Sequence, residues 1–175
     1  MYMKKGLFLL LMPAFLLGCS AQESFETVSD EYVQPVAAVM QQAALRLPEG
    51  AAVAVMQNDE TGSIYFCDDY TITLQTLDSG DLKETLYTAT GFEEDQLKVI
   101  ETNCGTAKRY DCVWASAGEG EEQIGRVAIL DDGNYHYVLT CMTGASNAQA
   151  LQDQWQDLFS SFCITEPGTD PYTGS

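Results

Sequence analysis

Asp131-Asp132-Gly133 lies between two β-prone runs, and an amphipathic segment follows the second. Few folds accommodate that order. Residues 123–130 (Gln-Ile-Gly-Arg-Val-Ala-Ile-Leu) form the first run, and residues 134–142 (Asn-Tyr-His-Tyr-Val-Leu-Thr-Cys-Met) the second. Aspartate and glycine tolerate the positive φ angles of a tight hairpin turn, so the spacing predicts an antiparallel hairpin. In the second strand Tyr135, Tyr137, Leu139 and Cys141 share one face, and His136, Val138, Thr140 and Met142 the other. Both faces carry apolar groups, which predicts a strand covered on both sides.

Residues 148–162 then place Leu151, Trp155, Leu158, Phe159 and Phe162 along one stripe of a helix. Gln152, Asp153, Gln156 and Asp157 fall on the wet side. Ser146 or Asn147 is the expected cap, because a side-chain oxygen there can accept from free backbone N–H groups. Each large apolar side chain buried against the sheet contributes about 1.5–3 kcal/mol before conformational entropy is subtracted.

Upstream, Asp30 or Gln34 opens an expected helix with Pro35 in its first turn and Val36, Val39, Met40, Ala43, Ala44 and Leu47 on its apolar face. Pro48 ends it. Residues 50–56 fit either a short strand or a packed loop. Residues 63–67 and 70–77 read as a hairpin about Asp68-Asp69. A short helix follows over residues 81–90, with Asp81 and Glu84 spaced as a capping box and Gly91 as its stop. Residues 96–104 and 107–117 read as two further strands joined at Gly105-Thr106. The expected class is α+β: an antiparallel sheet of about six strands in the order β-β-α-β-β-β-β-α, packed by helices, with an extra N-terminal helix.

The first 19 residues carry a different signal. A basic start with Lys4 and Lys5 precedes a mostly apolar, uncharged run over residues 6–17, shorter than the roughly 20 residues that span a bilayer. It ends Leu16-Leu17-Gly18-Cys19, which resembles the lipobox of bacterial lipoproteins. That resemblance implies cleavage after Gly18 by signal peptidase II, lipidation of Cys19 with acyl chains such as palmitate, and a chain held at the extracytoplasmic face of a cell membrane. Two or more acyl chains anchor stably without a transmembrane helix. The expected organisation is a signal peptide over residues 1–18, a polar tether over 19–31, one α+β domain over 32–164 and a disordered tail over 165–175.

Twenty-six acidic residues stand against eight basic ones, a net charge of −18. Loss of Lys4 and Lys5 with the signal peptide would leave six basic residues and a net charge of about −20. Such a chain repels nucleic acid and anionic membrane surfaces, so neither is an expected partner. With Cys19 lipidated, Cys67, Cys104, Cys112, Cys141 and Cys163 remain, an odd number that cannot all pair within one chain. No two cysteines have Cys-x-x-Cys spacing, and zero to two disulfides are expected.

The order of elements over residues 63–163 resembles the PsbP/Mog1-like fold. That family has a hairpin, a helix, a four-stranded meander and a C-terminal helix closing on the sheet. Gly133-Asn134-Tyr135 and Ser161-Phe162 match places where the family carries Gly-x-Tyr and Ser-Phe, and Tyr110 and Trp114 lie where it has an aromatic strand. The resemblance implies an accessory, partner-binding protein rather than an enzyme. It transfers no functional residue by position.

The chemistry-bearing residues are few. His136 is the one histidine, set mid-strand between tyrosines, where it reads as structural rather than catalytic. Asp131-Asp132-Gly133-Asn134 is rich in oxygen but lacks the spaced ligands of an EF-hand loop, and it reads as a turn. Arg109, Arg126 and His136 are the candidate ligand-binding residues. With Lys108 they would make a basic spot on an acidic protein if neighbouring strands align them, and otherwise pair with Asp111 and Glu101. No catalytic group, cofactor or metal is expected. The function expected is a non-enzymatic binding or accessory lipoprotein with a protein partner in the cell envelope. The alternative is a small-ligand or metal-ion carrier, and a hydrolase is less supported.

Overall fold

The computed structural model describes residues 39–54, 62–117, 120–169 and 171–172. The expected signal peptide and tether lie outside them. The Asp-Gly turn is where the sequence places it: β7 (Gln123–Asp131) and β8 (Tyr135–Gly144) pair antiparallel, with Leu130 opposite Tyr137 and Gly133 at φ 88°. Asp131 accepts from the Gly133 N–H at 2.8 Å, and Asp132 from the Asn134 and Tyr135 N–H groups at 2.9 and 2.8 Å. The two carboxylates thus hold the turn they flank.

The hairpin is the centre of an antiparallel sheet. β3 (Gly62–Phe66) and β4 (Tyr70–Asp78) form the predicted first hairpin, and β4 joins β8. β5 (Ile100–Cys104) and β6 (Ala107–Ser116) extend the other side through β7. A two-residue strand, β2 (Ala52–Val53), adds to β3, giving seven strands in the order β2-β3-β4-β8-β7-β6-β5. The α+β class and the order of elements expected between residues 63 and 163 are therefore present. The expected count of about six omitted β2 and a separate two-stranded sheet.

Strand parity sorts the side chains onto two faces. On one face Ile72, Ala128, Leu130, Tyr137, Leu139 and Cys141 meet Trp155, Leu158 and Phe159 of α2 (Gln152–Ser161). On the other, Tyr110, Cys112, Trp114, Val127, Ile129 and Val138 meet Leu86 of α1 (Leu82–Thr90). β8 is covered on both sides, as its composition requires. Asp81 caps α1 by accepting from the Lys83 N–H at 3.0 Å, and Gly91 stops it at φ 77°. A complete capping box stands instead beyond α1, at the 3-10 turn Glu94–Gln96, where Gln96 accepts from the Glu93 N–H at 3.0 Å.

Three expectations need correction. Gln42–Ala44, placed in an N-terminal helix, form a strand (β1) that pairs with Cys163–Thr165 (β9); the first part of that expected helix lies outside the described residues. Helix propensity in this Ala- and Gln-rich stretch yields to tertiary pairing: the Gln41 N–H donates to the Tyr137 hydroxyl at 2.9 Å, and the Arg46 N–H to Ser161 Oγ at 2.9 Å. The last helix starts at Gln152 rather than residue 148, and neither Ser146 nor Asn147 caps it through its side chain. Ser146 donates instead to Glu121 at 2.7 Å. Thr165, assigned to a disordered tail, closes β9; beyond it the Gly168 N–H donates to Gln42 Oε1 at 3.0 Å and the Tyr172 hydroxyl to the Ser161 carbonyl.

Candidate functional site

The proposed basic spot divides. Arg126 pairs with Cys141 across β7 and β8, so it lies on the α2 face with Tyr137, Leu139 and Cys141. His136 has the opposite parity and lies on the α1 face. There its Nδ1 meets Thr85 Oγ1 at 2.7 Å and its Nε2 approaches Asp131 at 3.8 Å, with 1% of the residue exposed. The structure therefore removes His136 from the arginine site; one residue of register along a strand reverses the face. Lys108 is also on the α1 face, paired with Glu101 at 3.1 Å, and that contact raises its pKa.

Arg109 and Arg126 do come together, around one acid. Asp111 receives the Arg109 Nε at 2.7 Å and Nη2 at 3.1 Å, a bidentate pair. Arg109 Nη2 also donates to the Phe159 carbonyl at 2.9 Å. Arg126 reaches the same Asp111 carboxylate only at 3.6 Å. Its guanidinium instead lies over the Phe159 ring, 4.2 Å from the centroid. One carboxylate thus faces two guanidinium groups, and the cluster carries a net positive charge. The pairing of Arg109 with Asp111 was legible in the sequence. The contribution of Phe159 was not, since nothing in local spacing marks a ring that α2 brings in from a distance in the chain.

Beside this cluster the α2 face of the sheet is open. Val113 sits directly opposite Arg126, and Ile100 directly opposite Asp111. Val113 is 60% exposed and Ile100 56% exposed. Tyr110, Trp114 and Tyr137 are buried in the two cores and line no cleft there. Burial and the Asp132 carboxylate, which accepts from the hydroxyl at 3.1 Å, push the Tyr137 pKa up to about 12. Clefts lie elsewhere: one of about 490 Å³ runs along β1 between Leu45, Tyr65 and Leu74, and one of about 820 Å³ lies between Leu47 and the α2 residues Gln154 and Asp157. All five described cysteines are free thiols. Among the described residues no three histidines, cysteines or carboxylates gather as a metal site, and no helix is long and apolar enough to cross a membrane.

No family model matches this chain, and no curated protein matches its sequence. Several solved structures are similar to it over most of the chain. The Ran-binding protein Mog1p of Saccharomyces cerevisiae is 13% identical, with 73% of this chain and 96% of that one covered and a TM-score of 0.48. LpqN of Mycobacterium tuberculosis, involved in cell envelope biogenesis, is 12% identical over 72% and 84% of the two chains, with a TM-score of 0.48. Cyanobacterial PsbP of Synechocystis is 10% identical over 75% and 96%, with a TM-score of 0.49.

Proposed function

We propose that this chain is a membrane-anchored extracytoplasmic lipoprotein whose α+β domain binds a protein component of the cell envelope without catalysing a reaction. The anchoring rests on the ordered sequence signal: basic start, apolar run, then Leu16-Leu17-Gly18-Cys19. The observation that carries the binding role is the open sheet strip at Ile100 and Val113 beside a positively charged arginine cluster. The one histidine is sealed in a hydrogen-bonded core position, where it cannot reach a substrate as nucleophile activator or base.

Two measurements test the reading. A palmitate analogue fed to expressing cells should label the wild type and not Cys19→Ala, and Cys19→Ala should leave the membrane fraction. Globomycin should cause the precursor to accumulate. Equal labelling of both proteins, or a mature band unaffected by globomycin, would sink the lipobox reading. A photocrosslinking residue at position 113 should then trap one defined envelope protein in intact cells, whereas the same residue at exposed position 87 should not. Identical profiles from the two positions would refute the binding face.

The clefts along β1 and α2 favour a second reading, a small-ligand or metal-ion carrier. That reading predicts a thermal shift with a metal or metabolite panel, unaffected by changes at position 113.

A further inference from the structure

We infer that Ile100, Val113 and Arg126 form a docking strip for an extended, acidic–apolar peptide segment of a partner protein, with Arg126 receiving its carboxylate. This rests on the binding role proposed above and names the chemistry of the partner.

Three observations converge. Arg126 is oriented but underused: its guanidinium is stacked on Phe159 at 4.2 Å, its side chain is 29% exposed, and its acidic neighbour among the described residues, Asp111, stands 3.6 Å away. That acid is already bound twice by Arg109. A planar guanidinium offers five N–H donors, so Arg126 keeps donors for an incoming carboxylate, and stacking lowers the entropy lost on binding. Second, the residue across the sheet from Arg126 is the exposed Val113, and Ile100 lies one strand further on. Ile100, Val113 and Arg126 thus descend across β5, β6 and β7 on one face. Their separations of roughly 5–8 Å match the repeat of about 6.6 Å between alternate side chains of an extended segment. Third, charge selects the occupant. The chain carries −18 overall and repels acidic molecules in general, yet this block places two arginines against one aspartate. A carboxylate is stabilised here and repelled over most of the remaining surface.

The full-length protein in detergent can be titrated with acetylated, amidated Val-Thr-Val-Thr-Glu, while NMR follows the backbone amides of residues 100 and 113 and the Arg126 Nε–H. Low-millimolar peptide should shift all three signals. The same peptide ending in glutamine should bind about tenfold more weakly, as expected when a charge-assisted pair is lost. Arg126→Gln should show a similar loss. Val113→Glu, at a position 60% exposed and with an unchanged urea midpoint as the check on folding, should also weaken binding of the acidic peptide. Absence of shifts, shifts confined to other residues, or equal affinity for the Glu and Gln peptides would each overturn the proposal. So would matching shifts with acetate alone, which would make the site a bare anion site. Failure here leaves the palmitate and crosslinking tests intact, so it is distinguishable from failure of the broader reading.

Discussion

At the scale of single residues, Gly125 and Trp114 show how one missing side chain shapes a core. They face each other across β6 and β7, and a Cβ built on Gly125 would sit 2.2 Å from Trp114 Cζ2. The indole is buried against the strand and is not the tip of a flexible chain that can swing aside. Gly125→Ala should therefore destabilise the protein by about 1–3 kcal/mol, the usual cost of overpacking, read as a lower urea midpoint with unchanged slope. A variant as stable as the wild type would mean that the ring lies elsewhere. The buried His136 gives a second residue-scale test. Thr85 Oγ1 is its partner at 2.7 Å, and Thr85→Val keeps the shape while removing the hydroxyl. Leaving a buried ring nitrogen unpaired should cost about 1–3 kcal/mol in the same measurement. A change below about 0.5 kcal/mol, the scatter of ordinary surface substitutions, would argue against the bond.

At the scale of elements, α2 carries the argument for the closing helix. Trp155, Leu158 and Phe159 are buried, and the Trp155 and Tyr70 rings meet edge-on with centroids 6.0 Å apart. Trp155→Ala should cost about 3–5 kcal/mol. Trp155→Phe should cost much less, because Trp155 Nε1 is buried without a hydrogen-bond partner among the described residues and its removal strands nothing. Equal losses for the two substitutions would mean that a smaller aromatic ring restores none of the packing, and would overturn ring burial as what holds α2. This packing was legible in advance because a stripe at Leu151, Trp155, Leu158 and Phe159 has one geometric solution against a flat sheet. Residues 39–47 were not legible for the converse reason. Their Ala, Gln and Leu content favours a helix weakly, and the deciding partners, Cys163–Thr165 and Tyr137, are far away in the chain. The arginine site divides the same way: Arg109 and Asp111 are two apart on one strand face, whereas the Phe159 ring under Arg126 belongs to α2.

At the scale of the whole molecule, both cores bury acids in their neutral form. Burial pushes the Cys112 thiol up to about 11, and it raises the Cys141 thiol and the Tyr70 phenol as well. Each of these groups holds its proton more tightly folded than unfolded, where thiols and phenols titrate near 9.0 and 10.0. Their contribution to stability is complete below about pH 9 and is lost as the pH rises through the folded values. The urea midpoint should thus hold level from pH 7 to the upper eights and fall steadily towards pH 11. Net charge offers a competing cause, since a chain at −18 gains further negative charge over the same range and repels itself. Salt separates the two. Surface repulsion is screened over distances beyond about 3–8 Å between physiological and molar salt, whereas the cost of ionising a buried thiol is a local desolvation that salt hardly reaches. An alkaline fall that persists in molar salt, and shrinks in Cys112→Ala, locates the effect in the core. A fall abolished by salt alone would assign it to the acidic surface and leave the packed interior without a part in the pH response.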